Sequence, residues 1–402
     1  MKILIVSQYF FPENFRINDF AFSMRRKGHE VTVLTGLPNY PKGRLFGDFR
    51  LFQKHEVNGV DIYRVPLIPR FKSSGFQLAI NYLSFLFSGL IFGPILLSKR
   101  KYDVIFTTNY SPATVGIIGV ILSKIKRAKM VLWVQDLWPE SLKATGAIES
   151  KAILRIIATM VRWIYKHSHN ILIQSKAFQS PIINLGIPNQ KIHYFPNWAE
   201  DLYSPNDLAN DRKIEDLIPK EKFIVMFAGN LGKAQSLETI IRAAKITQDR
   251  IHWVILGDGR ERSRMEEDIT SLGIENISLL GAFPMDYMPY FFKLSDVLLV
   301  TLRKDPIFSA TIPGKIQSYM LSSKPIIAAL DGEGARVIRE SNCGFVVDSG
   351  DYEGLAKSAD SLSLMDQSDL NEMGKNGFEY YRENFDRDNL IRRFESLLEE
   401  SK

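Results

Sequence analysis

Two doubly wound α/β domains of similar size are predicted, on three observations. Short runs rich in β-branched residues alternate with helical segments along almost the whole chain. The alternation stops after Pro196-Asn197-Trp198 and restarts at Phe223. A chain of 402 residues, 45% hydrophobic and 24% charged, is long enough for two or three domains with separate cores.

Ile3-Leu4-Ile5-Val6 opens the first domain as a strand. Ile17, Phe20, Ala21 and Met24 follow at helical spacing, and Gly28 ends that helix. Residues 30–36 form the next strand, and later strands are expected at 60–68, 103–108, 130–134, 170–174 and 191–195. Residues 199–221 are polar, contain Pro205, Asn206 and Asp211, and read as a linker. Strands resume at 223–230, 253–259, 277–283, 296–302, 324–330 and 344–348, with helices between them. The tail from 368 to 402 is helical and charged. Strands joined by helices form a parallel sheet covered on both faces.

The net charge of +6 conceals an asymmetry. Residues 1–200 hold 26 Lys and Arg against 11 Asp and Glu; residues 201–402 hold 25 against 34. The halves therefore carry +15 and −9. A basic half points to an anionic partner. Nucleic acid is disfavoured, because the basic regions lack interleaved aromatics and any nucleic-acid motif. Cys343 is the only cysteine, which excludes an internal disulfide and a cysteine metal cluster. The six histidines lack metal spacing; His167 and His169 read as end-of-helix residues. The apolar run at the start is too short for a signal peptide, so a cytoplasmic protein is expected.

Gly75 to Ser98 contains no charged residue and is flanked by Arg70, Lys72, Lys99, Arg100 and Lys101. As a helix it would be ~36 Å long, enough to cross a bilayer. Its polar residues, Gly93-Pro94 and doubly basic flanks argue against a span. Two readings stay open: a buried crossover helix, or an interfacial helix with its apolar face in lipid. Lys151, Arg155, Arg162 and Lys166 share one face of a later helix without acidic i, i+4 partners. An anionic lipid surface or lipid diphosphate suits them.

There is no GxGxxG, since Arg262 stands where the third glycine would fall after Gly257 and Gly259, and no GxxxxGK[ST]. Glycine-rich turns instead recur at strand ends of the second half. They are Gly229-Asn230-Leu231-Gly232, Gly257-Asp258-Gly259-Arg260 and Gly281-Ala282-Phe283-Pro284. Ligands bind outside the carboxyl ends of such strands, where glycines let backbone N–H groups come close. Ser309-Ala310-Thr311-Ile312-Pro313-Gly314-Lys315 reads as a helix start, with Thr311 as N-cap and Lys315 in the first turn. A cation there is unfavourable unless an anion binds beside it, so Lys315 is a diphosphate candidate. Glu333, followed by Gly334, is placed to accept bonds from sugar or ribose hydroxyls. In the first half, Glu13 and Asp136 follow strands, and Trp133 and Trp138 flank Asp136. Either acid is a candidate general base on an acceptor hydroxyl.

The segments KILIVSQYFFPENFRINDFA, VQDLWPESL, FAGNLGKAQSLETII, LGDG and LLGAF together resemble the retaining glycosyltransferases of GT-B fold, family four type. Within that family the chain resembles bacterial O-antigen and capsule L-fucosamine (N-acetylfucosamine) transferases. The resemblance implies an acceptor-binding Rossmann-like domain over 1–200 and a nucleotide-sugar-binding one over 201–384, with an interdomain cleft. It also implies a C-terminal helix over 385–402 that crosses back to the first domain. It implies a UDP-sugar donor and a polyprenyl-diphosphate-linked acceptor at the inner membrane face. It further implies that anomeric configuration is retained and that no metal or other cofactor is used, positive side chains and helix ends neutralising the departing diphosphate.

The sequence departs from the family at several positions. The glutamates of an E-x7-E motif fall at Ala310 and Ser318. Asn230 and Gln235 stand where many relatives carry Arg and Lys, and Gln135 where a His is common. Lys315 is taken as the replacement cation, assisted by Lys233 or Arg260, beside a donor site of Gly229, Asn230, Gly232, Gly257, Asp258, Gly259, Ala282, Phe283, Gly314, Glu333 and Gly334. Two alternatives stay open: a GT-B-like UDP-sugar 2-epimerase and a non-catalytic nucleotide-sugar-binding subunit.

Overall fold

The structure is a computed structural model that describes residues 1–41, 43–45, 52–71, 75–144, 146, 148–199 and 212–400. The chain divides into two units, Met1–Phe195 and Pro196–Lys402. The expected linker falls partly outside the described residues.

The first unit runs β1 (Lys2–Val6), α1 (Arg16–Arg26), β2 (Glu30–Gly36), β3 (Lys54–Val57), β4 (Val60–Val65), α2 (Gly75–Leu96) and β5 (Val104–Asn109). It continues with α3 (Val115–Lys126), β6 (Lys129–Val134), α4 (Glu140–Ala144), α5 (Lys151–His167), β7 (Asn170–Ile173), α6 (Gln179–Asn184) and β8 (Ile192–Tyr194). The sheet order is β3-β4-β2-β1-β5-β6-β7-β8, parallel except at the β3–β4 pair. Alternate strand residues serve opposite faces. Leu4, Val6 and Ile105 pack with Phe85 of α2 and Ile118 and Leu122 of α3. On the other face Phe20 of α1 stacks on Phe106 at 4.3 Å and lies 6.1 Å from Trp133.

Two sequence readings change here. The strand expected over 60–68 stops at Val65 and is the second half of a hairpin. Its turn is Asn58-Gly59, both with positive φ (49° and 77°), the backbone a two-residue hairpin turn requires. The buried-crossover reading of the uncharged segment holds only in part. One side of α2 is packed: a Cβ at Gly89 would lie 2.5 Å from Ile118 Cδ1, and one at Gly93 would lie 3.0 Å from Leu34 Cδ2. The opposite side is open, with Phe87 59% and Ile95 64% exposed. The helix has the length and hydropathy of a membrane span. It leads, however, from β4 to β5 of one sheet, which a crossing would pull apart.

The second unit runs α7 (Arg212–Glu215), β9 (Phe223–Ala228), α8 (Leu237–Ile246), β10 (Ile251–Leu256), α9 (Arg262–Ser271), β11 (Ile277–Gly281), α10 (Met288–Leu294) and β12 (Val297–Thr301). Then come α11 (Pro306–Ser309), α12 (Gly314–Leu321), β13 (Ile326–Ala329), α13 (Gly332–Glu340), β14 (Gly344–Val347), α14 (Tyr352–Ser363), α15 (Gln367–Asn384) and α16 (Arg387–Glu400). All six strands are parallel, in the order β11-β10-β9-β12-β13-β14. Ile224, Met226 and Ala228 of β9 enter one core cluster, and Val225 and Phe227 enter the other. The chain winds outward from β9 to β11, then returns to β12 on the other side. The β9/β12 reversal is the topological switch point, where ligands bind such sheets.

Candidate active site

The expected donor site lies at the carboxyl ends of β9, β10 and β11, where three turns interlock through backbone alone. The Gly229 N–H donates to Leu256 C=O (2.9 Å), the Gly257 N–H to Gly281 C=O (2.7 Å), and the Leu231 N–H to Asp258 C=O (2.9 Å). Gly257 has φ +136°, and a Cβ there would lie 1.8 Å from Gly229 O. The approach therefore requires glycine.

α12 closes this site from the side of β12. Its N-cap is Pro313, not Thr311, whose hydroxyl donates to Phe308 C=O at 3.2 Å. Thr311 already has a local acceptor, so it does not cap the helix. Lys315 is the second helical residue and projects toward the turns. Its Nζ lies 3.8 Å from the Phe227 ring centroid and donates to Gln235 Oε1. A Cβ at Gly229 would lie 2.4 Å from Lys315 Cε, so the lysine stem fits only because that position is glycine. Burial lowers the Lys315 ammonium from 10.5 to about 7. Gln235 stands where many relatives carry lysine. The missing charge reaches the same loop from a different helix. Tyr319 ties α12 to β9: its hydroxyl accepts from the Ala228 N–H (3.0 Å) and donates to Ala228 C=O (3.3 Å).

These elements enclose a cavity of about 450 Å³. Of the expected donor residues, Gly229, Asn230, Gly257, Asp258, Ala282, Phe283 and Lys315 line it. Ala228, Leu256, Met285, Met288, Phe292, Ser318 and Tyr319 complete it. The helical apolar members of that group were not singled out in the sequence because their spacing is that of core residues.

The other expected donor residues lie elsewhere. Gly232 and Lys233 line a separate groove of about 330 Å³ with Glu238, Arg264 and Arg303. Arg260 is exposed and Gly314 opens α12; neither lines the cavity. Gly259 serves packing, since a Cβ there would lie 2.3 Å from Leu231 O. Gly334 likewise lets α13 approach Ile316 and Pro313. Glu333 forms a two-pronged pair with Arg336 (3.0 and 3.1 Å) and is 9% exposed, so its carboxylate is committed within α13.

In the first unit the two carboxylates separate into different roles. Glu13 is 3% exposed and accepts backbone N–H groups from Phe10 (3.3 Å), Asn39 (2.8 Å) and Tyr40 (2.7 Å). Both its oxygens are taken, which makes it a clasp for two loops rather than a proton acceptor. Burial raises its pKa, and the backbone donors and Arg64 oppose the rise. Asp136 at the end of β6 accepts from the Ser111 hydroxyl (3.0 Å), and Ser111 accepts from Trp138 Nε1 (3.3 Å). Burial raises the Asp136 pKa, with Ser111 opposing it. Tyr82 of α2 lies near Tyr9 and Asp136, and burial raises its pKa, with the Asp136 charge adding to the rise. Phe15 stacks on Tyr9 at 5.0 Å and meets Tyr40 and Tyr110 at 5.1 and 5.4 Å. This aromatic group was not singled out in the sequence, because its members lie on separate loops. Trp133 is fully buried and donates from Nε1 to Phe195 C=O at 3.1 Å, a core role. Lys151, Arg155, Arg162 and Lys166 are all exposed on α5.

Two parallel-sheet α/β units, the second with a glycine-walled cavity at its switch point, define the GT-B class of glycosyltransferase. Comparison with known proteins gives the family. Residues 14–198 match the model "Glycosyl transferase 4-like domain", and residues 210–380 match "Glycosyl transferases group 1". The chain belongs to these group 1, family 4-like glycosyltransferases. It is 25% identical to the putative colanic acid biosynthesis glycosyl transferase WcaI of Escherichia coli K12, across 80% of this chain and 81% of that protein. It is 23% identical to the probable glycosyltransferase WbjE of Pseudomonas aeruginosa, across 74% and 76%. Among solved structures, Anabaena HepE in complex with UDP superposes over the whole of both chains, with a TM-score of 0.73 and 18% identity. Sucrose-phosphate synthase from Thermosynechococcus elongatus also gives 0.73, at 15% identity, over 99% and 98%.

Proposed function

We propose that this glycosyltransferase moves a sugar, N-acetyl-L-fucosamine or a related deoxy-amino hexose, from a UDP-sugar to a polyprenyl-diphosphate-linked saccharide. The reaction belongs to bacterial surface polysaccharide assembly at the inner face of the membrane. It proceeds with retention and without a metal.

The observation that carries the reading is Lys315, held without a carboxylate partner against Gln235 and Phe227 at the edge of the glycine-walled cavity. A buried cation beside a helix start suits a diphosphate. The names of WcaI and the UDP complex of HepE support the pathway and the nucleotide. In this reading Lys315 and the start of α12 take the charge that develops on the departing diphosphate. The acceptor hydroxyl attacks from the face the diphosphate leaves, and a phosphate oxygen accepts its proton. Asp136 orients the acceptor.

The test is a donor panel with detergent-solubilised lipid-linked acceptor, read by product mass and UDP release. Thermal protection by GDP but not by UDP would overturn the nucleotide assignment. Turnover of UDP-sugar without acceptor would replace the transferase by an epimerase.

A further inference from the structure

We propose that the outer side of the α2–α3–α5 layer adsorbs to an anionic phospholipid bilayer. The three helices form one layer. α2 reaches α3 where Gly89 meets Ile118, and α3 reaches α5 where Gly116 meets Ile164. What α2 turns away from the sheet is apolar. Leu83, Phe87, Ile91 and Ile95 of α2 follow one another at four-residue steps and are 46%, 59%, 55% and 64% exposed. Such a row forms one ridge along a helix. α3 adds Ile125, and α5 adds Ile153 and Ile156, all exposed. An exposed apolar ridge along α2, with further exposed apolar residues on the same layer, needs an occupant.

Charge selects the occupant. Residues 75–199 carry fourteen Lys and Arg against four Asp and Glu. Lys99, Lys101, Lys124, Arg127, Lys151 and Arg155 have no acidic partner among the described residues. They lie at the C-terminal ends of α2 and α3 and along α5, in the same layer as the apolar ridge. A second copy seated here would face the same cations across a self-complementary interface, which like charge opposes. An anionic bilayer offers apolar depth for the ridge and phosphate for the rim. The inner side of α2 carries Tyr82 and Asn81, which contact Tyr9 and Gln8 at the ends of the sheet. Adsorption would thus hold the Asp136 group at the surface where a lipid-linked sugar is displayed. The purpose of this placement rests on the proposed acceptor; the adsorption itself does not.

The test is flotation of the full chain with vesicles of phosphatidylcholine alone or with a third of phosphatidylglycerol. The expected result is capture by the anionic vesicles, weakened by added salt, with at least a tenfold loss in the triple variant Leu83→Glu, Phe87→Glu, Ile91→Glu. The replaced side chains are exposed, and unchanged circular dichroism and UDP binding would show that the variant is folded. Equal capture of variant and wild type, or no anionic preference, overturns the proposal. A wild-type dimer in sedimentation that the variant breaks assigns the face to a second copy instead. Transfer to the acceptor in detergent is scored separately. Its survival with failed flotation removes only the docking, and its absence with successful flotation removes only the transferase reading.

Discussion

Lys315→Met removes the ammonium while keeping a flexible stem beside Phe227. A charge-assisted hydrogen bond to the diphosphate contributes about 1.5–3 kcal/mol. The variant should therefore bind an intact UDP-sugar roughly ten- to more than a hundredfold more weakly. The pH dependence is the sharper signature. With the free ammonium near 7, wild-type affinity should be flat below that pH. Above it, affinity should fall by up to about tenfold per pH unit, because the bound anion must draw a proton onto Lys315. The variant should show no such slope. Titration calorimetry in two buffers of different ionisation enthalpy would report the proton taken up. Stability should move the opposite way. A fall from 10.5 to about 7 means that the unfolded chain binds the extra proton between those values, so wild-type stability rises with pH across that window. Below pH 7 the folded state bears the full cost of the buried charge, at most ~5 kcal/mol. Unliganded Lys315→Met should then melt higher than wild type at about pH 6, with the difference fading toward pH 10. Binding within twofold of wild type, with an unchanged pH slope, would refute the assignment of the diphosphate to this lysine.

Other substitutions divide structural from chemical roles. Glu13→Gln puts an amide N–H₂ against backbone donors and should lower stability by about 2–3 kcal/mol in denaturant titration, with kcat per folded molecule retained. A collapse of kcat at unchanged stability would return Glu13 to proton transfer. Asp136→Asn, which loses the orienting carboxylate, should lower kcat about a hundredfold at unchanged UDP-sugar affinity. Since burial raises Asp136, wild-type kcat/KM should fall with acidity at a pH above the ordinary carboxylate range, and the Asn variant should lack that limb. Gly257→Ala places a Cβ 1.8 Å from Gly229 O and should abolish UDP binding, measured by calorimetry. Gly273→Ala, at φ +61° with open space around it, should cost only ~1 kcal/mol and leave binding intact.

The sequence was most informative where chemistry is local. Strands buried on both faces are continuous apolar runs, so β1, β5, β6, β9 and β12 were readable without tertiary knowledge. Lys315 was readable because a cation in a first helical turn contradicts the helix dipole. The β3–β4 hairpin had an available signal, Asn58-Gly59, which the apolar run over 60–68 overshadowed. The rest depended on geometry that spacing does not carry. Whether Glu13 or Asp136 keeps a free oxygen is decided by which backbone N–H groups converge on it, and Asn39 and Tyr40 come from a loop after a different strand. The Glu333 pair was not legible for the same reason: its Arg336 partner is local, yet pairing depends on rotamers. Met285, Met288 and Phe292 line a cavity while Phe292 also belongs to the core, and periodicity does not separate the two roles.

The charge asymmetry separates two kinds of anion recognition and leads to opposite salt dependences. The half carrying −9 repels a nucleotide diphosphate at long range, so its affinity must come from contacts inside a Debye length, ~8 Å at physiological salt. Lys315, the Gly229 and Gly257 turns and the start of α12 satisfy that condition, and their enclosure limits screening. UDP-sugar affinity should consequently change less than about threefold between 50 and 500 mM salt. The half carrying +15 presents exposed cations on α5 and at the ends of α2 and α3, where screening is strong. Capture by anionic vesicles should fall at least tenfold over the same range, leaving the apolar ridge to supply the remainder. Parallel salt slopes for the two measurements would mean that donor binding also relies on the bulk field, and that the enclosed lysine is not its principal source of charge.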